Sequence, residues 1–316
     1  MTAPKTAVVA LGGNAISPPA EPDTIANQFR RTRESLAAIM HLVQHGYHMA
    51  ITHGNGPQVG NALLRVELAR GKAPVLPLGI CVADTQGGMG YMIEQSLQNR
   101  LQDDGIQRDV VTLVTQVIVD RDDPSIQNPT KFIGQYYQEG EANRLAEQNG
   151  WEVKYDPAHD AWRRVVASPV PREIVNHRPI SQLVTGGTIV IASGGGGIPV
   201  YIQENGHLEG VDAVIDKDRA SAVLARDIDA GELFIVTDVP EVCLHYGTDQ
   251  EEALRYTTPE AIRTYYTEGH FPPGSMGPKI EAALDFLEHG GEKVIITSIE
   301  QIEAALRGDR GTHISA

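Results

Sequence analysis

Apolar residues in this chain fall into short unbroken runs separated by longer stretches where they recur every three or four positions. That is the mark of buried strands alternating with amphipathic helices. The run at residues 6–11, Thr-Ala-Val-Val-Ala-Leu, reads as a strand covered on both faces and ends in Gly12-Gly13-Asn14. Asp23 or Thr24 can cap the next helix, which carries Ile25, Phe29, Leu36, Ile39, Met40 and Val43 and stops at Gly46. A second strand at 47–52 runs into His53-Gly54-Asn55-Gly56-Pro57-Gln58, then into a helix bearing Val59, Leu63, Val66 and Leu68. Residues 89–101 are helical again, and 109–119, rich in β-branched residues, predict a central strand. Strand, glycine turn, helix, strand predicts an α/β fold with a mostly parallel sheet whose ligands sit beyond the carboxyl ends of the strands.

Between residues 120 and 179 the pattern changes: six prolines, Trp151, Trp162 and several tyrosines surround a short helical piece near 139–148 and a strand-like run at 162–166. A structureless loop of that length inside a compact domain is unlikely on packing grounds, so 120–179 reads as an inserted subdomain with its own small hydrophobic cluster, within a single domain over 1–316. It carries Lys131, in Asn128-Pro129-Thr130-Lys131. The alternation then resumes with a buried strand at 188–193 and Gly194-Gly195-Gly196-Gly197, which between two strands read better as a tight passage beside a ligand than as a linker. A hairpin turn at 204–207, a strand at 233–239, a helix with Thr258 as cap and Pro259 at its first position, a loop over 270–279, a helix over 280–288, a strand at 293–297 and a helix at 299–306 complete the pattern, followed by a short polar tail.

Charge and cysteines narrow the function. The chain has 316 residues, 26 Lys plus Arg against 41 Asp plus Glu, and a net charge of -15, which argues against nucleic acid or anionic membrane as partner. An anionic substrate would need local lysines. Cys81 and Cys243 are far apart in sequence, offer no zinc framework, and read as core residues of a protein from a reducing compartment. Met1 to Lys5 lead straight into the first strand, with no segment of signal-peptide or membrane-span length, so a cytoplasmic, soluble protein is expected.

Local lysines occur where helices begin. In Val214-Ile215-Asp216-Lys217-Asp218-Arg219, Asp216 or Asp218 can cap a helix, and Lys217 sits between two carboxylates. Alone, that is a capped helix with a solvated lysine. Together with the glycine turns and a second helix-opening lysine, Lys279 in Gly277-Pro278-Lys279, it becomes what phosphate handling by amides and ammonium groups requires. Other motifs fail. Neither Gly54-Asn55-Gly56 nor Gly194-Gly195-Gly196 has the third glycine of a dinucleotide fingerprint, no P-loop precedes Lys72, and no nucleophile elbow is present. His41 and His45, one helical turn apart, lack a carboxylate to complete a metal set; His45 is explained by the helix dipole, and no protein-held metal is expected.

Six stretches taken together resemble the amino acid kinase family, and within it the carbamate kinase branch: 9–15, 53–60, 128–131, 194–199, 214–218 and 273–282. They span nearly the whole chain in the family's order. Acetylglutamate and uridylate kinases share the sheet and glycine turns but lack the Lys131 insertion in this form. The resemblance implies a three-layer sandwich with a small inserted lid, working as a homodimer. It implies reversible phosphoryl transfer between carbamoyl phosphate and ADP, giving ATP and carbamate, with magnesium carried by the nucleotide. Another small-acid kinase of the same fold is the alternative, because glycine turns fix the phosphate more tightly than the acceptor. By the same resemblance, Lys131, Lys217, Asp218 and Lys279 are the catalytic set, with Asp218 holding Lys217 and Lys279 in place. Gly12, Gly13, Asn14, Gly54, Asn55 and Gly56 are expected to bind the small substrate, the glycines and Asn55 through backbone amides. Asp216, Thr237, Asp238, Tyr246 and Met276 are expected to bind the nucleotide. Phe132, Gln135 and Ala167 depart from prolines common in the family, and all three lie in the insertion rather than in the phosphate turns.

Overall fold

The computed structural model describes residues 4–12, 24–157, 159–272 and 274–315. In chain order its elements are β1 (Thr6–Leu11), α1 (Ile25–Gln44), β2 (His48–His53), α2 (Gly56–Leu68), α3 (Leu78–Asp103), β3 (Val110–Thr112), β4 (Gln116–Val119), α4 (Pro124–Gln127), β5 (Lys131–Tyr137), α5 (Glu139–Asn149), β6 (Glu152–Asp156), β7 (Ala161–Val166), β8 (Pro171–Ile174), α6 (His177–Thr185) and β9 (Ile189–Ile191). There follow β10 (Ile198–Ile202), β11 (Leu208–Gly210), α7 (Lys217–Asp227), β12 (Glu232–Thr237), β13 (Val242–Leu244), β14 (Glu252–Leu254), β15 (Tyr256–Thr257), α8 (Pro259–Thr267), α9 (Met276–Glu288), β16 (Lys293–Ser298), α10 (Ile302–Leu306) and β17 (Thr312–Ser315).

Among the described residues the largest sheet has eight strands in the order β15-β17-β16-β12-β1-β2-β9-β3, parallel except where β16 meets β17. Strand β1 sits between β2 and β12 with five buried residues of six, because helices cover both its faces. Val8 faces the side of α6, α7 and α9, where Ile180, Ala220, Leu224, Ile280 and Phe286 pack. Ala7, Val9 and Leu11 face α1 and α3 through Leu36, Ile39, Met89 and Ile93. The strand order reverses direction at β1, so the carboxyl ends of β1, β2 and β12 border the crevice where such sheets take ligands.

Several expectations change. The predicted strand over 109–119 is two strands: β3 on the edge of the large sheet and β4 in a separate four-stranded sheet, β11-β10-β4-β8. The break has a side-chain cause. Gln86 of α3 pairs with the backbone of buried Thr115, accepting from its N–H at 2.8 Å and donating to its carbonyl at 3.1 Å, so a side chain rather than a strand takes that N–H, while the carbonyl also accepts from the Ile198 N–H of β10 at 2.9 Å. The polar tail is in fact β17, antiparallel to β16, with Thr312, His313 and Ile314 buried. Its threonine is paired: Thr312 Oγ1 accepts from the Val242 N–H at 2.8 Å. Lys279 belongs to the first turn of α9 rather than to a loop. Leu68 and Ile25 are exposed, Cys243 is only half buried, and Asp23 lies outside the described residues.

The insertion holds a three-stranded antiparallel sheet, β5-β7-β6, over 131–166, while β8 returns to the four-stranded sheet. Among the described residues its buried apolar side chains form no separate cluster of their own. Ile133 and Val166 pack with Val59, Leu63, Cys81 and Val82 of α2 and α3.

The four-glycine turn after β9 is wholly buried and could hold no other residues. A Cβ on Gly194 would stand 2.3 Å from His53 Nε2, one on Gly195 would stand 2.1 Å from Asn55 Nδ2, one on Gly196 would stand 2.5 Å from the Ile215 carbonyl, and one on Gly197 would stand 2.3 Å from Val117. Gly195 and Gly206 share a left-handed backbone, at φ +64 and +82, but the space around Gly206 is open. Gly206→Ala is expected to cost about 1 kcal/mol of strain, and Gly195→Ala about 3 kcal/mol, since overpacking against Asn55 adds to the same strain. Chemical denaturation of the two variants checks the difference; equal losses would mean that the turn relaxes freely.

Candidate active site

Helix α7 begins where it does because Asp216, in extended backbone, caps it: Oδ1 accepts from the Asp218 N–H at 3.0 Å and the Arg219 N–H at 3.3 Å. Lys217 is therefore the first helical residue and Asp218 the second. Helix α9 brings Lys279 to the same point from its own first turn. Gly277 makes that approach possible, since its N–H donates to the Pro272 carbonyl at 2.9 Å and a Cβ would stand 2.9 Å from that oxygen. The two helices are tied together by Arg219, whose Nε donates to Glu281 at 3.0 Å, and the Tyr266 hydroxyl of α8 donates to the same carboxylate.

Asp218 is the centre of the arrangement. Its side chain is 5% exposed, Lys217 Nζ donates to Oδ1 at 2.6 Å and Lys279 Nζ to Oδ2 at 3.1 Å. Burial alone would raise its carboxyl pKa, but the two ammonium groups outweigh that and hold it down at about 2. The two lysines are themselves nearly buried, at 13% and 16% exposed, so the solvated-lysine reading of Lys217 does not hold. Lys131, the first residue of β5, reaches the same helix terminus and donates to Asp216 Oδ2 at 3.2 Å. Two helix N-termini and three ammonium groups thus converge, an arrangement suited to a phosphoryl group.

The carboxyl end of β2 forms the facing wall. Thr52 Oγ1 and Ser221 Oγ are 2.6 Å apart, and Ser221 Oγ donates to the Lys217 carbonyl at 2.6 Å, which fixes β2 to α7. Asn55 is buried, its amide donating to Thr85 Oγ1 at 2.9 Å. The Gly12 and Gly54 amides are not the ligand donors expected: Gly12 N–H donates to the Val236 carbonyl at 3.0 Å and Gly54 N–H to the Leu11 carbonyl at 3.1 Å, both prolonging the sheet. Gly56 opens α2, whose first-turn amides have no partner within the helix. Gly13 and Asn14 lie outside the described residues.

Beside Lys279 a cavity of about 450 Å³ is lined by Thr237, Asp238, Tyr246 and Met276, all four expected at a nucleotide, and also by Glu241, Cys243, His270 and Phe271. Asp216 does not line it. Cys243 and His270 carried no signal in the sequence beyond their positions after the strand end and before the Lys279 helix. Sequence alone assigns His53 no role. Its signal is a histidine standing at the carboxyl end of a buried strand, directly before the Gly54-Asn55-Gly56 turn. Among the described residues no group of three His, Cys, Asp or Glu is arranged to hold a metal ion, and His45 Nδ1 lies 2.7 Å from the His41 carbonyl, as a helix end would have it.

These features define a class. A model of the amino acid kinase family matches residues 5–298, and the chain belongs to that family. Within it the likeness is to carbamate kinases along the full length. The carbamate kinase of Pyrococcus horikoshii is 46% identical over 99% of each chain. The carbamate kinase-like protein YahI of Escherichia coli is 47% identical over 97% of this chain and 98% of its own. The carbamate kinase of Giardia lamblia bound to AMP-PNP superposes with a TM-score of 0.93 at 40% identity, covering 100% of this chain and 99% of that one. No described helix is long and apolar enough to cross a membrane.

His53 gives the site a pH signature. It is wholly buried against Gly194, its Nδ1 is 3.1 Å from the Gly54 carbonyl, and burial, with the Lys217 charge adding to it, pushes its imidazole from 6.5 down to about 4. The folded protein thus holds His53 neutral while the unfolded chain protonates it below 6.5. This contribution to stability is complete above about pH 6.5 and is lost as pH falls toward 4. Thermal melts across that window should fall with pH, and less steeply in His53→Gln; identical slopes would remove His53 as the cause.

Proposed function

We propose that the chain is a carbamate kinase, transferring the phosphoryl group of carbamoyl phosphate to ADP and, in reverse, that of ATP to carbamate. The bond from phosphorus to the carbamoyl oxygen breaks as one to the terminal oxygen of ADP forms. The observation that carries this reading is the Asp218 clamp, two lysines held on one buried carboxylate beside a nucleotide-sized cavity. Phosphoryl transfer asks for positioning and charge stabilisation more than covalent chemistry. In this reading Lys217 and Lys279 neutralise the charge on the moving group and on the nucleotide phosphates. Asp218 keeps the two ammonium groups in place without neutralising the site, which remains net positive with Lys131. The nucleotide lies among Thr237, Asp238, Tyr246 and Met276 and brings magnesium with it as part of the substrate. The small substrate lies between the first turn of α2 and Lys131.

The insertion acts as a lid that excludes water from the transfer. Phe132, at a position where the family commonly has proline, supports its stiffness by packing under the Arg163 guanidinium 5.6 Å from the ring, while Arg163 pairs with buried Asp156 at 3.1 Å. Exposed Ile80 and Tyr91 on α3 favour a homodimer, and unpaired Cys81 and Cys243 fit a cytoplasmic setting.

The purified protein should form ATP from carbamoyl phosphate and magnesium ADP. Lys217→Ala and Lys279→Ala should each lower turnover on the order of a hundredfold or more while keeping the fold. A folded sample that makes no ATP from carbamoyl phosphate but does so from another acyl phosphate would move the assignment to a different acid. Near wild-type turnover in either variant would remove that lysine from the mechanism.

Lys131 is 37% exposed and in a surface-like ion pair, so Lys131→Ala should melt close to the wild-type temperature. Its loss should lower kcat/KM for carbamoyl phosphate steeply and change ADP affinity by less than about threefold. Kinetics with each substrate varied separately, with a direct ADP titration, check this; equal weakening of both would refute the assignment of Lys131 to the small substrate.

A further inference from the structure

We propose that Asp216 is the positioning residue for Lys131, the carboxylate that docks the catalytic end of the insertion onto the start of α7. The inference rests on the kinase reading above for its catalytic consequence, but not for the docking itself. Asp218 already carries Lys217 on one oxygen and Lys279 on the other, so a third ammonium group needs a second carboxylate. Asp216 is built for that task. One oxygen is pinned by the Asp218 and Arg219 amides, which aims the other in a fixed direction, and that second oxygen receives Lys131 Nζ at 3.2 Å. The same carboxylate therefore sets where Lys217 begins the helix and where Lys131 stands relative to it, linking the start of α7 to the first residue of β5 in the insertion's own sheet.

The rest of the insertion leaves the Lys131 side chain to be fixed by Asp216. Ile133 and Val166 anchor the sheet on α2 and α3 through apolar contacts, and the Ala167 carbonyl, next to the Val166 that pairs with Lys131, accepts from the Val214 N–H at 3.0 Å, which places the backbone beside Lys131 but not its ammonium group. Upstream, Lys154 Nζ donates to the Pro129 carbonyl at 2.7 Å and to Asn128 Oδ1 at 3.1 Å, holding the approach to Lys131 but not its side chain. Lys131 itself is long, flexible and 37% exposed, and Asp216 is 18% exposed, so their pair contributes little to stability and its use is orientation. Asp216 also stands apart from the cavity beside Lys279, which separates it from the nucleotide residues.

Asp216→Asn keeps an oxygen for the helix cap and removes the charge that holds Lys131. Its expected effects are a fall in kcat/KM for carbamoyl phosphate on the order of 10- to 100-fold, from a displaced ammonium group, and a change in ADP affinity below about twofold. In the double variant Lys131→Met/Asp216→Asn the loss should equal that of Lys131→Met alone, because Asp216 acts through Lys131. Hydrogen exchange provides a readout independent of activity: Asp216→Asn should speed exchange in residues 131–137 and leave 217–227 unchanged. Multiplying losses in the double variant, a loss of ADP affinity instead, or unchanged exchange in 131–137 would each overturn the proposal. If the wild-type protein does not use carbamoyl phosphate, the kinase reading fails and the exchange measurement alone decides the docking.

Discussion

One buried carboxylate holding two ammonium groups is the interaction on which the rest of this structure depends. A lone carboxylate with Asp218's burial would shift toward its neutral form. The two ammonium groups keep it ionised. Breaking such a set by removing one member leaves an uncompensated charge in a poorly solvated place, which is far costlier than never having built it. The set therefore constrains its surroundings: α7 and α9 must start at the same point, and Gly277, Asp216 and the Glu281 contacts serve that alignment.

A second constraint is steric. The turn at Gly194–Gly196 passes between the end of β2 and the residues leading into α7, at distances where every added methyl group would meet an atom. That closeness lets His53, Asn55 and Ile215 pack against one backbone. It carries a cost, since Ser193 enters the turn in left-handed backbone at φ 50 and its hydroxyl is buried without a partner among the described residues. Backbone strain concentrated at the meeting point of three elements fits a site held rigid for positioning rather than for tight folding.

The insertion is joined to this rigid body in three ways. Apolar contacts from Ile133 and Val166 attach it to α2 and α3, the Ala167 carbonyl accepts from the Val214 N–H at 3.0 Å, and an ion pair at the first residue of β5 links Lys131 to Asp216. Within the insertion, the Arg163 guanidinium lies 4.6 Å from the Tyr136 ring centre and 5.6 Å from that of Phe132, giving the strand after Lys131 a fixed neighbour. Where proline would stiffen the chain by restricting φ, here stacking does so from outside the backbone.

The sequence by itself determined what depends on local pattern and on residue chemistry. Alternating apolar runs and glycine stops mark β1, β2, α1 and β12 within a residue or two, because strands covered on both faces leave few other readings. Lysines beside helix caps, with glycine turns and family resemblance, marked Lys131, Lys217, Asp218 and Lys279, which the fold brings to one helix terminus or one residue from it. What the tertiary structure decided were the properties that arise only when distant residues compete for the same atoms. Gln86 reaches across from α3 to satisfy Thr115, so a continuous β-branched run became two strands in two sheets. Thr312 finds partners from β13 and β14, so a polar tail became a sheet strand. The Gly12 and Gly54 amides were taken by neighbouring carbonyls, and Asp216, caught between a helix cap and Lys131, faces the insertion. A backbone amide or a carboxylate looks the same in any sequence; which partner it takes is settled by which groups the packed chain places within about 3 Å of it.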